Sequence, residues 1–141
     1  MLYDDYLQKL EICPFCESDG RIFIDKKNAC LTYAKAPYHP DHLLVIPKRH
    51  VVSFFDLTEE EESDINELIE LGSEILKKLE YVNFTILVRE GSNANKSISH
   101  LHYHLIPNDR IGDLDHNGEP RQILSPEAIA VLSARIFKVI N

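Results

Sequence analysis

Three histidines alternate with other residues in the segment Ser99-His100-Leu101-His102-Tyr103-His104-Leu105. If this segment is a β-strand, side chains two positions apart share a face, so His100, His102 and His104 line one side of it. A strand rises about 3.3 Å per residue, which separates the outer two imidazoles by about 13 Å. All three therefore cannot easily bind one metal ion, although two adjacent members could. A neutral imidazole is also a competent nucleophile toward phosphorus.

The elements that must position these histidines are short strands around one long helix. Alternating apolar residues predict a strand over Ile98–Ile106, with Leu101 and Leu105 packed on the face opposite the histidines. Thr58 and Glu61 form a capping box that begins the long helix, whose apolar residues Ile65, Leu68, Ile69, Leu76 and Leu79 recur at three- and four-residue steps. The other predicted elements are a helical lead-in at Tyr3–Leu10, a hairpin of Arg21–Asp25 and Ala29–Ala34, strands at Leu43–Ile46 and Val82–Val88, a loop at Asn108–Gln122, and a C-terminal helix from Ser125 to about Val139. This order predicts an α+β fold with an antiparallel sheet.

Two separated sequence blocks, His-x-His-x-His at 100–104 and Pro37–Val51, carry a resemblance to a known family. The second block is similar to Pro-Gly-His-x-Leu-Val-Ile-Pro-Lys-x-His, with Asp41 in place of the usual Gly, and Glu90-Gly91-Ser92 lies between the two. Both resemble the histidine triad (HIT) nucleotide hydrolases and transferases, including their diadenosine polyphosphate hydrolase-like branch. The resemblance runs from about Cys13 to Pro107 and implies a HIT-like fold.

The same resemblance implies that His102 is the catalytic nucleophile, with His100 and His104 beside it. His102 would form a covalent nucleotidyl-histidine that water then hydrolyses, so that one difficult displacement becomes two easier ones. The expected substrate is a purine dinucleoside polyphosphate or a related AMP ester or phosphoramidate. The residues expected to bind its phosphate are those at the family's phosphate-contact positions: Lys96, Ser97, His104 and, as a forked donor, Arg89.

Besides Asp41, three positions depart from the family pattern. Lys96 stands where Gln or a small residue is common, and Arg89 stands where the family has Asn. Ala34 stands where the family places an Asn or Asp that bonds the ribose hydroxyls, and the candidates to replace that contact are Tyr33 or a residue of the loop 108–122. The base is expected against apolar side chains, for which Phe23 and Ile24 are candidates.

Cys13-Pro14-Phe15-Cys16 is a Cys-x-x-Cys pair, which by itself fits a redox pair, half of a zinc site or chance. The HIT resemblance implies that the two thiolates join His50 and His100 around a structural zinc ion, which would tie the amino-terminal segment to the sheet. The remaining thiol, Cys30, is expected in the core, while His39 and His42 are expected to be structural or at the rim of the site.

Length, charge and hydropathy narrow the class of protein. The 141 residues fit one domain, 1–141, with a core of about 13–107 and a C-terminal loop and helix over 108–141. The net charge of −8 opposes bulk nucleic-acid binding. No segment has the roughly 20 apolar residues of a membrane helix, and the amino terminus lacks a signal-peptide pattern, so a cytoplasmic location is expected. The resemblance further implies a homodimer in which long helices and sheets meet.

Three alternatives to this hydrolase remain open at the level of sequence. The first is a non-catalytic nucleotide-binding or sensor module on the same scaffold, suggested by Lys96, Arg89 and Ala34. The second is a metalloenzyme in which His-x-His binds a catalytic ion, with Asp109 as the only near acidic ligand. The third is a strand whose exposed face happens to carry histidines.

Overall fold

Five short strands form one antiparallel sheet in the computed structural model, which describes residues 2–16, 22–91, 96–107, 120 and 122–140. The sheet order is β1-β2-β3-β5-β4. The hairpin and the buried strand lie where the sequence predicts them, and the α+β prediction is confirmed. The strands are β1 (Ile22–Asp25), β2 (Ala29–Tyr33), β3 (Leu43–Pro47), β4 (Phe84–Val88) and β5 (Tyr103–Pro107).

One face of the sheet is covered by the long helix α2 (Glu59–Lys78). Its capping box is present, because Glu61 N donates to the Thr58 hydroxyl and Thr58 N donates to the Glu61 carboxylate. The buried residues of α2 pack with Leu31 and Leu105 of the sheet in a single apolar core. Those buried helix residues include Ile65, Leu68, Gly72 and Leu76.

The predicted strand Ile98–Ile106 is shorter than expected, since β5 begins only at Tyr103. Its pairing with β3 ends at the couple Val45–Tyr103, and its pairing with β4 ends at Val88–Tyr103. The proline at the end of β3, Pro47, has no N–H to extend a ladder toward residue 101. Leu101 N donates instead to the Val51 carbonyl, at 2.7 Å. Consequently only His104 of the three histidines lies in a strand.

The chain divides into two compact units, 1–109 and 110–141. The first contains the sheet, α2, the short helix α1 (Tyr3–Gln8) and a 3-10 turn at Phe54–Asp56. In the second, α3 (Pro126–Ile140) begins after Ser125, whose hydroxyl accepts a hydrogen bond from Ala128 N. Most of the predicted loop Asn108–Gln122 lies outside the described residues. None of the described helices is long and apolar enough to cross a membrane.

Candidate active site and metal centre

A cavity of about 770 Å³ lies on the face of the sheet that presents Thr32 of β2, Leu44 of β3 and His104 of β5, and its volume is in the upper part of the size range of small-molecule sites. Its apolar wall includes Ile22, Leu44 and Ile46. The polar groups that line it include His102, His104, Ser97 and Arg89. Apolar walls with a few convergent polar groups are typical of a site for a small organic ligand that carries charge.

His102 is buried and held in one tautomer by the main chain. Its Nδ1 lies 2.8 Å from the carbonyl oxygen of His100. Because a carbonyl oxygen only accepts, Nδ1 carries the proton and Nε2 keeps its lone pair. Burial lowers the pKa of His102, and the nearby positive charges of Lys96 and Arg89 lower it further. A neutral imidazole with an unprotonated Nε2 is the form that attacks an electrophile.

His104 takes the opposite tautomer through a chain of hydrogen bonds. Tyr38 N donates to Nδ1 of His42 at 3.2 Å, so the His42 proton is on Nε2. That Nε2 lies 3.0 Å from Nδ1 of His104 and donates to it, which leaves the His104 proton on Nε2. Burial together with His102, His42 and Arg89 lowers the pKa of His104 to about 3. His104 is therefore an uncharged ring with an N–H donor, next to the His102 ring at 4.7 Å between centroids.

His100, in contrast, does not line the cavity. Its Nε2 donates to the Pro47 carbonyl at 2.8 Å, and its Nδ1 faces Cys13 and Cys16 at 3.4 and 3.5 Å from their sulfur atoms. The prediction that three imidazoles share one face thus fails for His100, because the backbone at 96–102 is not a strand. Its carbonyl nevertheless fixes the tautomer of His102.

Cys13, Cys16, His50 and His100 form a cluster that could hold a metal ion. One ligand atom from each lies within 4.8 Å of the others, and Cys16 Sγ is 3.0 Å from His50 Nδ1. A tetrahedral zinc ion with its usual Zn–S and Zn–N bonds separates neighbouring ligand atoms by about 3.3–3.8 Å. The donor set of two sulfur and two nitrogen atoms suits zinc, and the distances of 3.4 and 3.5 Å from His100 Nδ1 to the sulfur atoms of Cys13 and Cys16 lie within that range. Within the described part of the chain this is the one such cluster, and His102 and His104 are not in it.

Of the remaining residues predicted to contact the substrate, some line the cavity and others do not. Ser97 and Arg89 line the cavity, and Arg89 makes no ion pair with a described residue. Lys96 does not line it, because its ammonium group donates to the Val52 carbonyl at 2.6 Å. Phe23 and Ile24, the candidates for base contact, also lie outside the cavity wall, since Ile24 packs against the core.

Several groups at the site were not predicted as part of it. Phe15, between the two cysteines, packs edge-on against the His102 ring with centroids 5.0 Å apart. Tyr3 and Tyr6 of α1 line the cavity as well. His42, predicted to be structural or at the rim, is buried and bonded to His104. Its place in the Pro37–Val51 block was the available sequence signal, whereas nothing in the sequence connects α1 with the site.

Two other predicted positions have structural roles. Asp41, in place of the usual Gly, accepts a hydrogen bond from the hydroxyl of Tyr81. Ala34 is buried beside Leu44, Ile46 and Phe15, so it offers the cavity no polar group. Tyr33, the candidate named for the ribose contact, lines the cavity.

Comparison with known proteins was consistent across sequence and structure. The family model described as the HIT domain matches residues 16–111. An adenosine 5′-monophosphoramidase of Schizosaccharomyces pombe is 33% identical over 108 residues, which are 75% of this chain and 77% of that protein. A bis(5′-adenosyl)-triphosphatase of Dictyostelium discoideum is 34% identical over 120 residues, 77% of this chain and 79% of that protein. A histidine triad nucleotide-binding protein from Candida albicans superimposes with a TM-score of 0.71 over 92% of this chain and 97% of its own, at 22% identity, which supports the fold.

Proposed function

This chain belongs to the HIT domain family, and from that premise we propose that it is a nucleotide hydrolase or transferase that cleaves at an α-phosphate. The proposed substrates are a dinucleoside polyphosphate or an AMP ester or phosphoramidate, in keeping with the activities for which its relatives are named. The observation that carries the proposal is the pair of opposite tautomers, a lone pair on His102 Nε2 beside an N–H on His104 Nε2. One ring is ready to attack phosphorus while the other can donate to a phosphate oxygen.

In the first proposed step, His102 Nε2 attacks the α-phosphorus and forms a P–N bond. The bond from phosphorus to the leaving oxygen or nitrogen breaks, and its electron pair leaves with that atom, which takes up a proton. Water then attacks the same phosphorus, gives up a proton, and displaces His102 to release AMP. The His100 carbonyl stabilises the imidazolium character that His102 acquires, because it already accepts from Nδ1.

Charge on the non-bridging phosphate oxygens would be met by groups already in place. The His104 N–H is directed by His42, and preorganised donors of this kind stabilise the transition state more than mobile ones. Ser97 and Arg89 line the same cavity and are the proposed direct phosphate contacts. Lys96 is proposed to act through its field, since its ammonium is held by backbone carbonyls.

The test of this proposal is turnover of diadenosine tetraphosphate and of adenosine 5′-phosphoramidate, by wild type and by His102→Ala. We expect wild type to release AMP and to carry a protein-bound AMP adduct by mass spectrometry, and the substitution to abolish both. His39→Phe is the matched control, because His39 lies outside the cavity wall, accepts from Asp41 N and packs on Tyr81. Binding of the nucleotides without turnover or adduct would instead identify a non-catalytic nucleotide-binding module.

We further propose that Cys13, Cys16, His50 and His100 bind a structural zinc ion. A closed site with four protein ligands leaves no position for an activated water, so the metal would tie residues 13–16 to the sheet. The expected result is zinc that co-purifies with wild type and is lost from Cys13→Ser together with a fall in the melting temperature. Cys30→Ser, which removes a thiol outside the cluster, should keep its zinc. Activity that depends on a metal bound by His102 or His104 would contradict this assignment and favour the metalloenzyme.

A cytoplasmic homodimer is the proposed assembly. β4 is an edge strand, with Ile86 49% exposed, and α3 exposes several large apolar side chains, among them Val131 and Phe137. Both features suit burial against a second copy. Light scattering should give twice the chain mass, and Ile86→Lys should lower it, whereas a monomeric wild type would refute the proposal.

The proposed cytoplasmic location agrees with the cysteine pair, which suits metal binding in a reducing compartment. The assignment of 1–141 to one domain stays a prediction.

A further inference from the structure

Tyr3, on the amino-terminal helix α1, touches a residue that lies 94 positions away and belongs to the proposed phosphate site. The Tyr3 hydroxyl is 2.7 Å from the Ser97 hydroxyl. Both residues line the cavity that contains His102 and His104. The Tyr3 hydroxyl therefore lies within hydrogen-bond distance of the Ser97 hydroxyl, which is part of the cavity.

The helix that carries Tyr3 has no role in the apolar core. α1 is six residues long and has no buried residue. A helix of this length is not stable by itself in water, so contacts outside it must hold it in place. Two such contacts come from its tyrosines, which stack on each other with ring centroids 6.1 Å apart: Tyr3 bonds to Ser97, and the Tyr6 ring lies under the Lys35 ammonium at 5.1 Å. The two partners, Ser97 and Lys35, both line the cavity.

The direction of the hydrogen bond follows from what an anion can accept. A phosphate oxygen that is ionised only accepts, so a Ser97 hydroxyl bound to it must use its single proton in that bond. The lone pairs of the Ser97 oxygen are then free to accept a hydrogen bond, and the Tyr3 phenol donates it. Hydrogen bonds that run in one direction polarise each other, so the phenol strengthens the donation from Ser97 to the anion.

We infer that Tyr3 is a positioning residue that holds the Ser97 hydroxyl toward a phosphate oxygen of the bound nucleotide. The inference rests on the proposed function in one respect, which is that a nucleotide phosphate occupies this cavity. It assigns to α1 a part in phosphate recognition, and it makes Ser97 one member of a two-hydroxyl donor chain.

The experiment compares AMP with adenosine, whose only difference is the phosphate, by calorimetric titration of the full chain. Tyr3→Phe removes the hydroxyl and keeps the ring. Because the Tyr3–Ser97 bond is present without ligand as well, only the part of it that couples to phosphate binding is lost. AMP binding should therefore weaken by about 2- to 3-fold, the low end of what one hydrogen bond between uncharged groups contributes, and adenosine binding should be unchanged. In a Ser97→Ala background the same substitution should have no further effect on AMP, because its partner is gone. Melting temperatures of all four proteins show whether each is folded.

Each of the other possible results contradicts either the role of Tyr3 or the proposed function. Equal weakening of AMP and adenosine by Tyr3→Phe would overturn the inference, since the phenol would then act on the nucleoside or on the fold. Effects of Tyr3→Phe and Ser97→Ala on AMP that simply add would overturn it too. If AMP does not bind to wild type, the inference is overturned, because there is no phosphate contact for Tyr3 to support; the proposed function fails as well if none of the proposed substrates is turned over. If AMP binds but is not released from any substrate tested, only the catalytic part of that proposal fails, and the titrations still decide the role of Tyr3.

Discussion

Replacement of His42 by Phe should slow catalysis although His42 is not expected to touch the substrate's phosphorus. In the structure His42 Nε2 donates to His104 Nδ1 at 3.0 Å, and this bond determines which nitrogen of His104 carries the proton. Because burial and neighbouring groups lower the pKa of His104 to about 3, protonation cannot supply a second N–H near neutral pH. The tautomer therefore decides whether His104 presents a donor or a lone pair at the proposed phosphate contact.

The size of the effect follows from the two responses open to His104. If it keeps its present tautomer, Nδ1 becomes a buried acceptor without a partner, which costs about 1–3 kcal/mol. If it adopts the other tautomer, the cavity loses a donor of the kind whose removal costs about 10²- to 10³-fold in rate. His104 follows whichever response costs less free energy, so the activation free energy rises by no more than that cost. Since about 1.4 kcal/mol corresponds to a tenfold change, we expect kcat/KM to fall by about 10- to 100-fold.

The assay is AMP release from adenosine 5′-phosphoramidate by wild type, His42→Phe, His42→Gln and His39→Phe. The Gln side chain keeps an N–H donor, so His42→Gln should recover a part of the lost rate, and His39→Phe should match wild type. His42→Phe also removes the acceptor of Tyr38 N, so thermal melting is needed to distinguish a loss of fold from a loss of catalysis. Unchanged kcat/KM in a folded His42→Phe, or an equal loss in His42→Gln, would refute the tautomer argument.

Three further predictions concern stability. Gly72→Val should lower the free energy of unfolding by about 2 kcal/mol in urea titration, because a Cβ at residue 72 would lie 2.5 Å from Leu105 Cδ1 in a filled core; an unchanged midpoint would contradict this packing. Glu80→Gly should raise the free energy of unfolding by about 0.5–1 kcal/mol, since Glu80 follows α2 at φ 73°, where glycine is unstrained, and a lower melting temperature would count against it. Glu61→Gln should destabilise by about 1–2 kcal/mol at pH 7, because hydrogen bonds from Arg49 and Thr58 keep the pKa of Glu61 below its ordinary value of 4.5. That contribution is present above pH 4.5 and is lost as pH falls through the lowered pKa, so a difference between the two proteins that grows on acidification would exclude it.

The parts of the fold that sequence predicts well are those set by local chemistry. The capping box of Thr58 and Glu61 and the apolar period after it place α2 correctly, because both signals act within one or two turns. The strand predicted at Ile98–Ile106 is wrong over its first half for a reason that is not local. Its alternation is real, but a strand also needs neighbours with free N–H and C=O groups, and the adjoining strand ends in Pro47.

The candidate site divides in the same way. A short motif is enough to single out His102 and His104, and the resemblance to the HIT family, rather than the Cys-x-x-Cys spacing, predicts a metal at Cys13 and Cys16. What sequence alone cannot supply is the set of contacts between distant segments. The His42–His104 bond spans 62 positions, and nothing in the pattern of residues 3–8 connects Tyr3 with Ser97. The first contact depends on the pairing of β3 with β5, and the second on the position of the amino-terminal segment beside residue 97.

His100 connects His102, the proposed nucleophile, with the proposed metal cluster of Cys13, Cys16, His50 and His100. Three of its groups are engaged at once: Nε2 donates to the Pro47 carbonyl, Nδ1 faces the two sulfur atoms, and its carbonyl accepts from His102. The ring must be neutral with its proton on Nε2 to offer Nδ1 to a metal, which is the tautomer that Pro47 selects. A metal bound there would fix the ring, and with the ring the backbone whose carbonyl orients His102. The proposed zinc ion would thus contribute to catalysis without touching the substrate, by limiting the motion of the carbonyl that sets the tautomer of the nucleophile.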